Sequence, residues 1–292
     1  MAEPMRVDVV ETLEPVCGRM IDLPYVIEVD DPAVADELRG TLHDSLHRSV
    51  RHVGAEEASP EQFRVATNGS VYELWWAGSV VHVASTIASV VEAVVWNLNR
   101  RSIEHRSVGT GSQVAVHAGA VALGSSGIAL VGPSGGGKTT AAIGLARLGF
   151  GYLSDDIVLV GPKRELRGSR KPVGLRAGTR ELLGLELTGG VPRSESSDSV
   201  LVAASRLGVD VIDRAEIEVM LFFNPHGDPG ELRPLRRSIA VQRLVEACFV
   251  GVPLSQSGLV VLADAARGAT TLEWTRGSLR DLSAALRAIL AR

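Results

Sequence analysis

Residues 132–139 are the part of the sequence whose residue types most directly indicate chemistry. They read GPSGGGKT and match the G-x-x-x-x-G-K-[ST] pattern of a phosphate-binding loop. Glycines at these positions let successive backbone N–H groups turn inward around the β- and γ-phosphates of a nucleoside triphosphate. Lys138 adds a positive charge, and Thr139 offers a hydroxyl to Mg²⁺. The motif predicts ATP and Mg²⁺ as cofactors, and the binding residues are Gly132, Pro133, Ser134, Gly135, Gly136, Gly137, Lys138, Thr139 and Thr140.

The flanks of this motif favour the local structure that a phosphate-binding loop requires. The apolar run 128–131 predicts a short buried strand that enters the loop, and residues 140–148 predict a helix that leaves it. The amino-terminal end of a helix attracts phosphate through its exposed N–H groups and its dipole. Strand, loop and helix in this order favour nucleotide binding over a glycine-rich turn without a ligand.

An acidic pair, Asp155 and Asp156, lies within an apolar run downstream of the loop helix. Two adjacent carboxylates are costly to bury unless a cation is near, and nucleotide-bound Mg²⁺ is a suitable cation. Neighbouring strand residues point to opposite faces, so we expect one aspartate to bind the metal and the other to accept a proton from the acceptor hydroxyl. The sequence leaves the two roles unassigned, and a turn or ion-pair role for both is the alternative. The predicted metal ligands are Thr139, Asp155 and Asp156.

A histidine in an apolar run, such as His117 within residues 114–123, is by itself more often structural than functional. However, the ordered set of His117, the glycine-rich motif and the acidic pair resembles the HPr kinase/phosphorylase family and its HPr-kinase-related members, over about residues 112 to 180. The resemblance implies a P-loop fold shared with ATP-dependent phosphoenolpyruvate carboxykinase. It also implies that the histidine lies near the transferred phosphate and that the acidic pair supplies the base and helps to hold the metal. The catalytic set is then His117, Lys138, Asp155 and Asp156.

A basic cluster occupies residues 161–180, with seven cations and one acidic residue. Arginine guanidinium groups match phosphate oxygens, so the cluster predicts a clamp for phosphates or an acidic substrate, with a solvated loop as the competing interpretation. Its segment 170–176 resembles the one that follows the acidic pair in HPr-kinase-related proteins. Arg170 and Arg176 are therefore the phosphate or substrate candidates, and the other cations, Lys171 included, are interpreted as surface charge.

The fold class expected from these patterns is α/β, with a P-loop kinase core of the HPr kinase/PEP carboxykinase type and a smaller amino-terminal α+β domain. Polar and glycine-containing residues near the end of the first unit place the boundary at residue 108, which gives domains 1–108 and 109–292. The first domain is a candidate for substrate or partner recognition, and its expected elements are helices at 34–50 and 85–99 and strands at 72–76 and 80–83. The second is expected to contain strands at 114–123, 128–131 and 152–160 and an amphipathic carboxy-terminal helix with Leu279, Leu282, Leu286 and Ile289 on one stripe.

The composition is typical of a soluble globular protein, with 45% hydrophobic and 22% charged residues among 292. A formal net charge of −4 argues against nucleic-acid or membrane-surface partners, which usually attract a basic face. No run approaches the ~18 apolar residues of a membrane span. Cys17 and Cys248 lie far apart and form no metal-ligand spacing, which favours a reducing, cytoplasmic location.

The sequence therefore predicts a phosphotransferase that moves the γ-phosphate of ATP to a hydroxyl. The acceptor is expected to be serine in a protein or peptide, such as a natural-product precursor peptide, or a small molecule. A nucleotide-binding regulator or scaffold without catalysis, and an ATPase coupled to a partner, are the alternatives. The resemblance also implies a homo-oligomer, although no residue of the sequence specifies an interface.

Overall fold

A computed structural model describes residues 13–21, 23–46, 59–108, 113–187, 189–192, 198–226, 228–249 and 253–291. Within these ranges the chain is a mixed α/β protein with three sheets and seven α-helices, which confirms the expected α/β class. The helices are α1 (Pro32–Thr41), α2 (Ile87–Val108), α3 (Lys138–Arg147), α4 (Ala177–Leu183), α5 (Arg237–Glu246), α6 (Gln256–Gly268) and α7 (Leu279–Leu290). None of the described helices is both long enough and apolar enough to cross a membrane.

The amino-terminal sheet has five strands in chain order, and α1 and α2 pack against it. Its strands are β1 (Val16–Met20), β2 (Leu23–Val29), β3 (Glu61–Asn68), β4 (Val71–Trp76) and β5 (Ser79–Ala84). The pairs are antiparallel except for β2 and β3, which are parallel. The predicted strands at 72–76 and 80–83 are confirmed, and so is the helix predicted at 85–99, which extends to Val108.

The helix predicted at 34–50 is shorter than the apolar spacing suggested. Helix α1 begins after Asp31, whose carboxylate accepts the N–H groups of Ala33 and Val34 at 2.8 and 3.2 Å, and it ends at Thr41. A 3₁₀ turn follows, and Leu46 then pairs with Gly18 beside β1. Val34, Leu38 and Leu42 are buried as expected, but pairing with β1 takes the chain out of the helix. The last residues of the predicted helix lie outside the described part of the chain.

The second sheet has nine strands and carries the elements on either side of the glycine-rich loop. They are β6 (Val114–Val116), β7 (Ala118–Leu123), β8 (Ser126–Val131), β9 (Gly151–Ser154), β10 (Val158–Val160), β11 (Glu165–Gly168), β15 (Arg214–Asn224), β16 (Leu232–Pro234) and β17 (Thr270–Thr275). The order is β6-β10-β11-β15-β8-β7-β9, and β17 pairs with both β15 and β16. A third, small sheet has the order β12-β14-β13, with β12 (Val173–Leu175), β13 (Val191–Pro192) and β14 (Val200–Val202).

Several strands of the nine-stranded sheet end at the same edge. Strands β8 and β17 each run parallel to β15. Strand β9 has the same direction as β8, because both pair antiparallel with β7. The residues that follow β8, β9, β15 and β17, and the residue that precedes β7, are therefore placed at one edge of the sheet.

Two runs that we expected to be continuous strands are each interrupted. His117 separates β6 from β7, and its backbone N–H donates to the Ala247 carbonyl at 2.7 Å instead of to a strand. Residues 155–157 separate β9 from β10, where the Ser154 hydroxyl accepts the N–H groups of Asp156 and Ile157 at 3.4 and 3.3 Å. Each break lets the chain leave one part of the sheet and join another, since β6 pairs with β10 while β7 pairs with β8 and β9.

One hydrophobic core joins the amino-terminal sheet to residues beyond position 108. Tyr25 and Leu98, both fully buried, share this core with Ile157, Leu159 and Leu201. Two further cores lie on the faces of the nine-stranded sheet. The boundary at residue 108 stays a prediction, and residues 109–112 lie outside the described ranges.

Candidate functional site

The glycine-rich loop between β8 and α3 needs glycine for two different reasons. Gly135 and Gly137 have φ angles of 72° and 100°, in the left-handed region that other residues rarely adopt. At Gly132 an added Cβ would lie 2.7 Å from Cβ of Phe223, and at Gly136 it would lie 2.8 Å from the Pro133 carbonyl oxygen. The loop therefore has no room for side chains at two positions and has an unfavourable backbone for them at two others.

Lys138, the first residue of α3, is only 6% exposed and lies against the loop. Its ammonium donates to the carbonyl oxygens of Gly132 at 2.8 Å and Pro133 at 3.1 Å. Burial lowers the pKa of Lys138, while the negative charges of Asp156 and Asp155 act in the opposite direction. The ammonium is therefore held at the wall of the loop and faces the acidic pair.

Asp155 is the buried member of the pair, with 4% exposure. One carboxylate oxygen, Oδ2, accepts the Thr139 hydroxyl at 3.1 Å, and the other, Oδ1, accepts the Tyr152 hydroxyl at 3.1 Å. Burial raises the pKa of Tyr152 well above its ordinary value, and the Asp155 charge adds to this, so the phenol stays a donor. The hydrogen bond between Thr139 and Asp155 joins the start of α3 to the end of β9.

Asp156 is half-buried, with 36% of its side chain exposed, and its Oδ1 lies 3.3 Å from Nε2 of His117. Burial on its own would raise the pKa of Asp156, but the attraction of Lys171 and then of His117 outweighs it, so the pKa lies below its ordinary value. Burial lowers the pKa of His117 despite the opposing effect of Asp156. The chain breaks at positions 117 and 155–157 thus bring this pair together.

Lys171 is buried in the site, and our interpretation of it as surface charge is wrong. It is 8% exposed, and its ammonium lies 3.4 Å from Oδ1 of Asp155 and 3.3 Å from Oδ2 of Asp156. The cause is its position just before β12, whose Val173 and Leu175 are fully buried and draw the preceding residue inward. Such an apolar strand after a basic residue is the sequence signal that could have identified Lys171.

Arg276 is a second residue that the sequence did not identify. It follows β17, and its guanidinium donates to the carbonyl oxygens of Gly135 and, at 3.1 Å, of Gly136. The peptide groups of these glycines are thereby held with their oxygens toward Arg276. No motif surrounds Arg276, and it lies 140 residues along the chain from Gly136, so only the pairing of β17 with β15 brings it to the loop.

These groups surround an open cavity of about 750 Å³. The predicted site residues that line it are His117, Ser134, Gly135, Gly137, Lys138, Thr139, Thr140, Asp155, Asp156 and Arg176. Gly132, Pro133 and Gly136 belong to the same loop without lining the cavity. Among residues not predicted, Lys171 and Arg276 contribute charge to the lining, and Phe223 and Trp274 contribute a pair of rings in edge-to-face contact at 5.4 Å.

The structure does not bring Arg170 to the cavity. Its guanidinium forms an ion pair with Asp213 and donates to the Asp44 carbonyl at 3.2 Å. Arg170 also has a φ of 52°, so the backbone turns at this position. Of the two predicted arginines, only Arg176 lies where it can contact a ligand in the cavity.

The site is suited to a polyanion that carries a hard cation. Backbone N–H groups, the start of a helix and basic side chains favour phosphate, and the Thr139 hydroxyl with two carboxylates supplies the oxygen ligands that Mg²⁺ prefers. Among the described residues no group of three or more His, Cys, Asp or Glu side chains is arranged to hold a metal ion. A metal at the acidic pair would therefore need further oxygen ligands from a bound molecule.

Comparisons with known proteins give little further information. No protein-family model matches the chain, and no curated protein matches it. Among solved structures, the chain is similar to the Hpr(Ser) kinase/phosphatase from Coxiella burnetii, with a TM-score of 0.28 and 11% sequence identity over 61% of this chain and 88% of that one. A likeness this weak carries no argument, so a functional proposal has to rest on the geometry of the cavity.

Proposed function

We propose that this protein is an ATP- and Mg²⁺-dependent kinase that transfers the γ-phosphate to a hydroxyl group, with serine in a protein or peptide as the first acceptor class and a small-molecule hydroxyl as the second. The observation that carries the proposal is the 3.1 Å contact between Oγ1 of Thr139 and Oδ2 of Asp155 at the mouth of the glycine-rich loop. In P-loop NTPases a loop Ser or Thr and a strand-end Asp hold the nucleotide's Mg²⁺ together. Here the same two residue types meet beside Lys138.

The residues present fit a magnesium ion. Thr139, Asp155 and Asp156 offer a hydroxyl and two carboxylates, and phosphate oxygens of the nucleotide would complete the hard-oxygen set. When bound, Mg²⁺ neutralises charge on the β- and γ-phosphates.

Binding of the triphosphate falls to the loop and the basic residues around it. The loop N–H groups and the start of α3 face the phosphates, and Lys138 supplies a charge next to them. Arg276 holds the carbonyl oxygens of Gly135 and Gly136 by hydrogen bonds, which keeps the loop in one conformation. Arg176 also lines the cavity, where its guanidinium lies 3.9 Å from the position that a Cβ on Gly135 would occupy, and it is available to a phosphate or to the acceptor.

The geometry favours Asp156 as the group that accepts the proton of the acceptor hydroxyl. Asp155 is buried and already accepts hydrogen bonds from Thr139 and Tyr152, whereas Asp156 is partly exposed to the cavity. His117 contacts Asp156 and orients its carboxylate. The lowered pKa keeps Asp156 ionised at neutral pH. A loose phosphoryl-transfer transition state needs little proton removal in advance, so a weak base suffices.

The exposure of Asp156 also favours a second candidate, hydrolysis of ATP with water as the acceptor. The test is incubation with γ-labelled ATP and Mg²⁺ against an HPr-like protein, short serine-containing peptides and free serine, with a control that lacks any acceptor. Label on one acceptor supports the kinase and names its class. Phosphate release in the control alone supports the ATPase, and binding with neither release nor transfer supports a regulator and contradicts both.

A further inference from the structure

Lysine is rare in this chain, and its distribution is uneven. Three lysines occur among the 30 Lys and Arg residues, and two of them, Lys138 and Lys171, are buried and line the cavity. The third, Lys163, is exposed in a 3₁₀ turn. Lysine carries a compact point charge on a flexible stem, whereas arginine carries a wide planar fork. The two buried lysines therefore place compact positive charges in the cavity that also contains the acidic pair.

The Lys171 ammonium lies between the two carboxylates. It contacts one oxygen of each, Oδ1 of Asp155 at 3.4 Å and Oδ2 of Asp156 at 3.3 Å. The second carboxylate oxygen of Asp155, Oδ2, contacts Thr139, and that of Asp156, Oδ1, contacts His117. A single positive charge between two adjacent carboxylates reduces their mutual repulsion, as a divalent cation in the same place would.

The backbone around Lys171 fixes this position. Its N–H contacts the Ser169 hydroxyl at 3.5 Å, and its ammonium also donates to the Pro172 carbonyl at 3.2 Å. Val173, two residues after Lys171, begins β12 and is fully buried. Lys171 is thus anchored on both sides and is not a surface side chain that happens to reach the pair.

We propose that Lys171 is a positioning residue whose ammonium is a built-in counter-ion of the acidic pair and competes with a divalent cation for Asp155 and Asp156. The proposal rests on the proposed function in one respect, that these aspartates are metal ligands. Affinity for a divalent cation depends on the net charge around the ion, and the ammonium of Lys171 makes the net charge of the site less negative by one. The free protein then binds a divalent cation weakly, and the phosphates of a nucleotide supply the missing charge.

The experiment measures Mn²⁺ binding to the full chain without nucleotide, by electron paramagnetic resonance of the free ion. Lys171→Met removes the charge and keeps an unbranched side chain, and Lys163→Met is the matched control at an exposed lysine. We expect Lys171→Met to bind Mn²⁺ about 10-fold more tightly than the wild type, or better, and Lys163→Met to match the wild type. A folded Lys171→Met protein with wild-type or weaker Mn²⁺ affinity would overturn the proposal.

A second measurement covers the case in which Lys171→Met does not fold alone. The proposal then predicts that Mn²⁺ restores its structure, followed by circular dichroism during titration, because the cation replaces the missing charge. A variant that stays unfolded at millimolar Mn²⁺ contradicts the proposal. Failure of the kinase is distinguishable from these results, since Mn²⁺ binding without nucleotide requires no transfer activity.

Discussion

Replacement of Arg276 by methionine tests whether a residue far along the chain prepares the loop for phosphate. The guanidinium donates to the carbonyl oxygens of Gly135 and Gly136. Methionine keeps an unbranched apolar stem and loses both hydrogen bonds and the charge. The two peptide groups are then free to rotate, and the loop has to be ordered by the ligand itself.

The size of the effect follows from the two hydrogen bonds. A hydrogen bond to a charged group contributes about 1.5–3 kcal/mol when shielded from solvent. Arg276 is exposed, so solvent screening reduces this to roughly 0.5–1 kcal/mol per bond, or about 1–2 kcal/mol for the pair. The dissociation constant for ATP should therefore rise about 5- to 30-fold. The melting temperature should change little, because Arg276 packs on the surface.

The assay is calorimetric titration with a non-hydrolysable ATP analogue and Mg²⁺. Arg280→Met is the control, since Arg280 is an exposed arginine at the start of α7 that does not line the cavity. A dissociation constant for Arg276→Met within about 2-fold of the wild type would show that Arg276 does not order the loop for the ligand. An equal loss in Arg280→Met would show that the effect comes from net charge and not from the loop.

Two further predictions concern the acidic pair and the amino-terminal core. Asp156→Asn should lose transfer by about 100-fold or more and weaken Mg²⁺-dependent nucleotide binding less than Asp155→Asn, whose main effect should be on that binding. Separate binding and γ-phosphate transfer assays check this, and full activity in both variants would contradict the roles. Burial raises the pKa of Tyr25 above its ordinary value of 10.0, so the folded state keeps a proton that the unfolded chain loses. Above pH 10 the wild-type free energy of unfolding should fall by up to about 1.4 kcal/mol per pH unit, and urea unfolding of Tyr25→Phe should lack this component. Equal pH slopes for the two proteins would exclude Tyr25 as the cause.

The elements that were predicted most accurately from the sequence are those determined by residues close together along the chain. The strand, loop and helix around residues 132–139 occur as expected, because glycine conformations, an apolar strand and a helix start are all encoded within about 20 residues. The apolar patterns also located two of the five amino-terminal strands, β4 and β5, and the carboxy-terminal helix.

Such local patterns do not predict which strands and side chains pair over long distances along the sequence. Apolar runs indicate burial but not partners, so the breaks at His117 and at residues 155–157 could not be seen before the strand order was known. Similarly, Leu46 fits the helical spacing of α1 but pairs with Gly18 instead. Arg170 illustrates the converse, since its partner Asp213 lies 43 residues away and draws it out of the cavity.

The site residues that were not predicted from the sequence were missed for the same reason, because long-range pairing places them in the site. Lys171 and Arg276 reach the cavity through the placement of β12 and β17, not through a local motif. Tyr152 lies only three residues before Asp155, yet its role depends on the turn after β9 that brings its hydroxyl back to the carboxylate.

Calorimetric binding of MgATP to the wild type, Lys138→Met and Lys163→Met tests directly whether the cavity is a nucleotide site. We expect the wild type and Lys163→Met to bind MgATP and Lys138→Met to lose binding, because Lys138 is the one of the chain's three lysines that lies against the glycine-rich loop. Equal MgATP affinity in all three proteins would contradict the claim that this cavity is a nucleotide site.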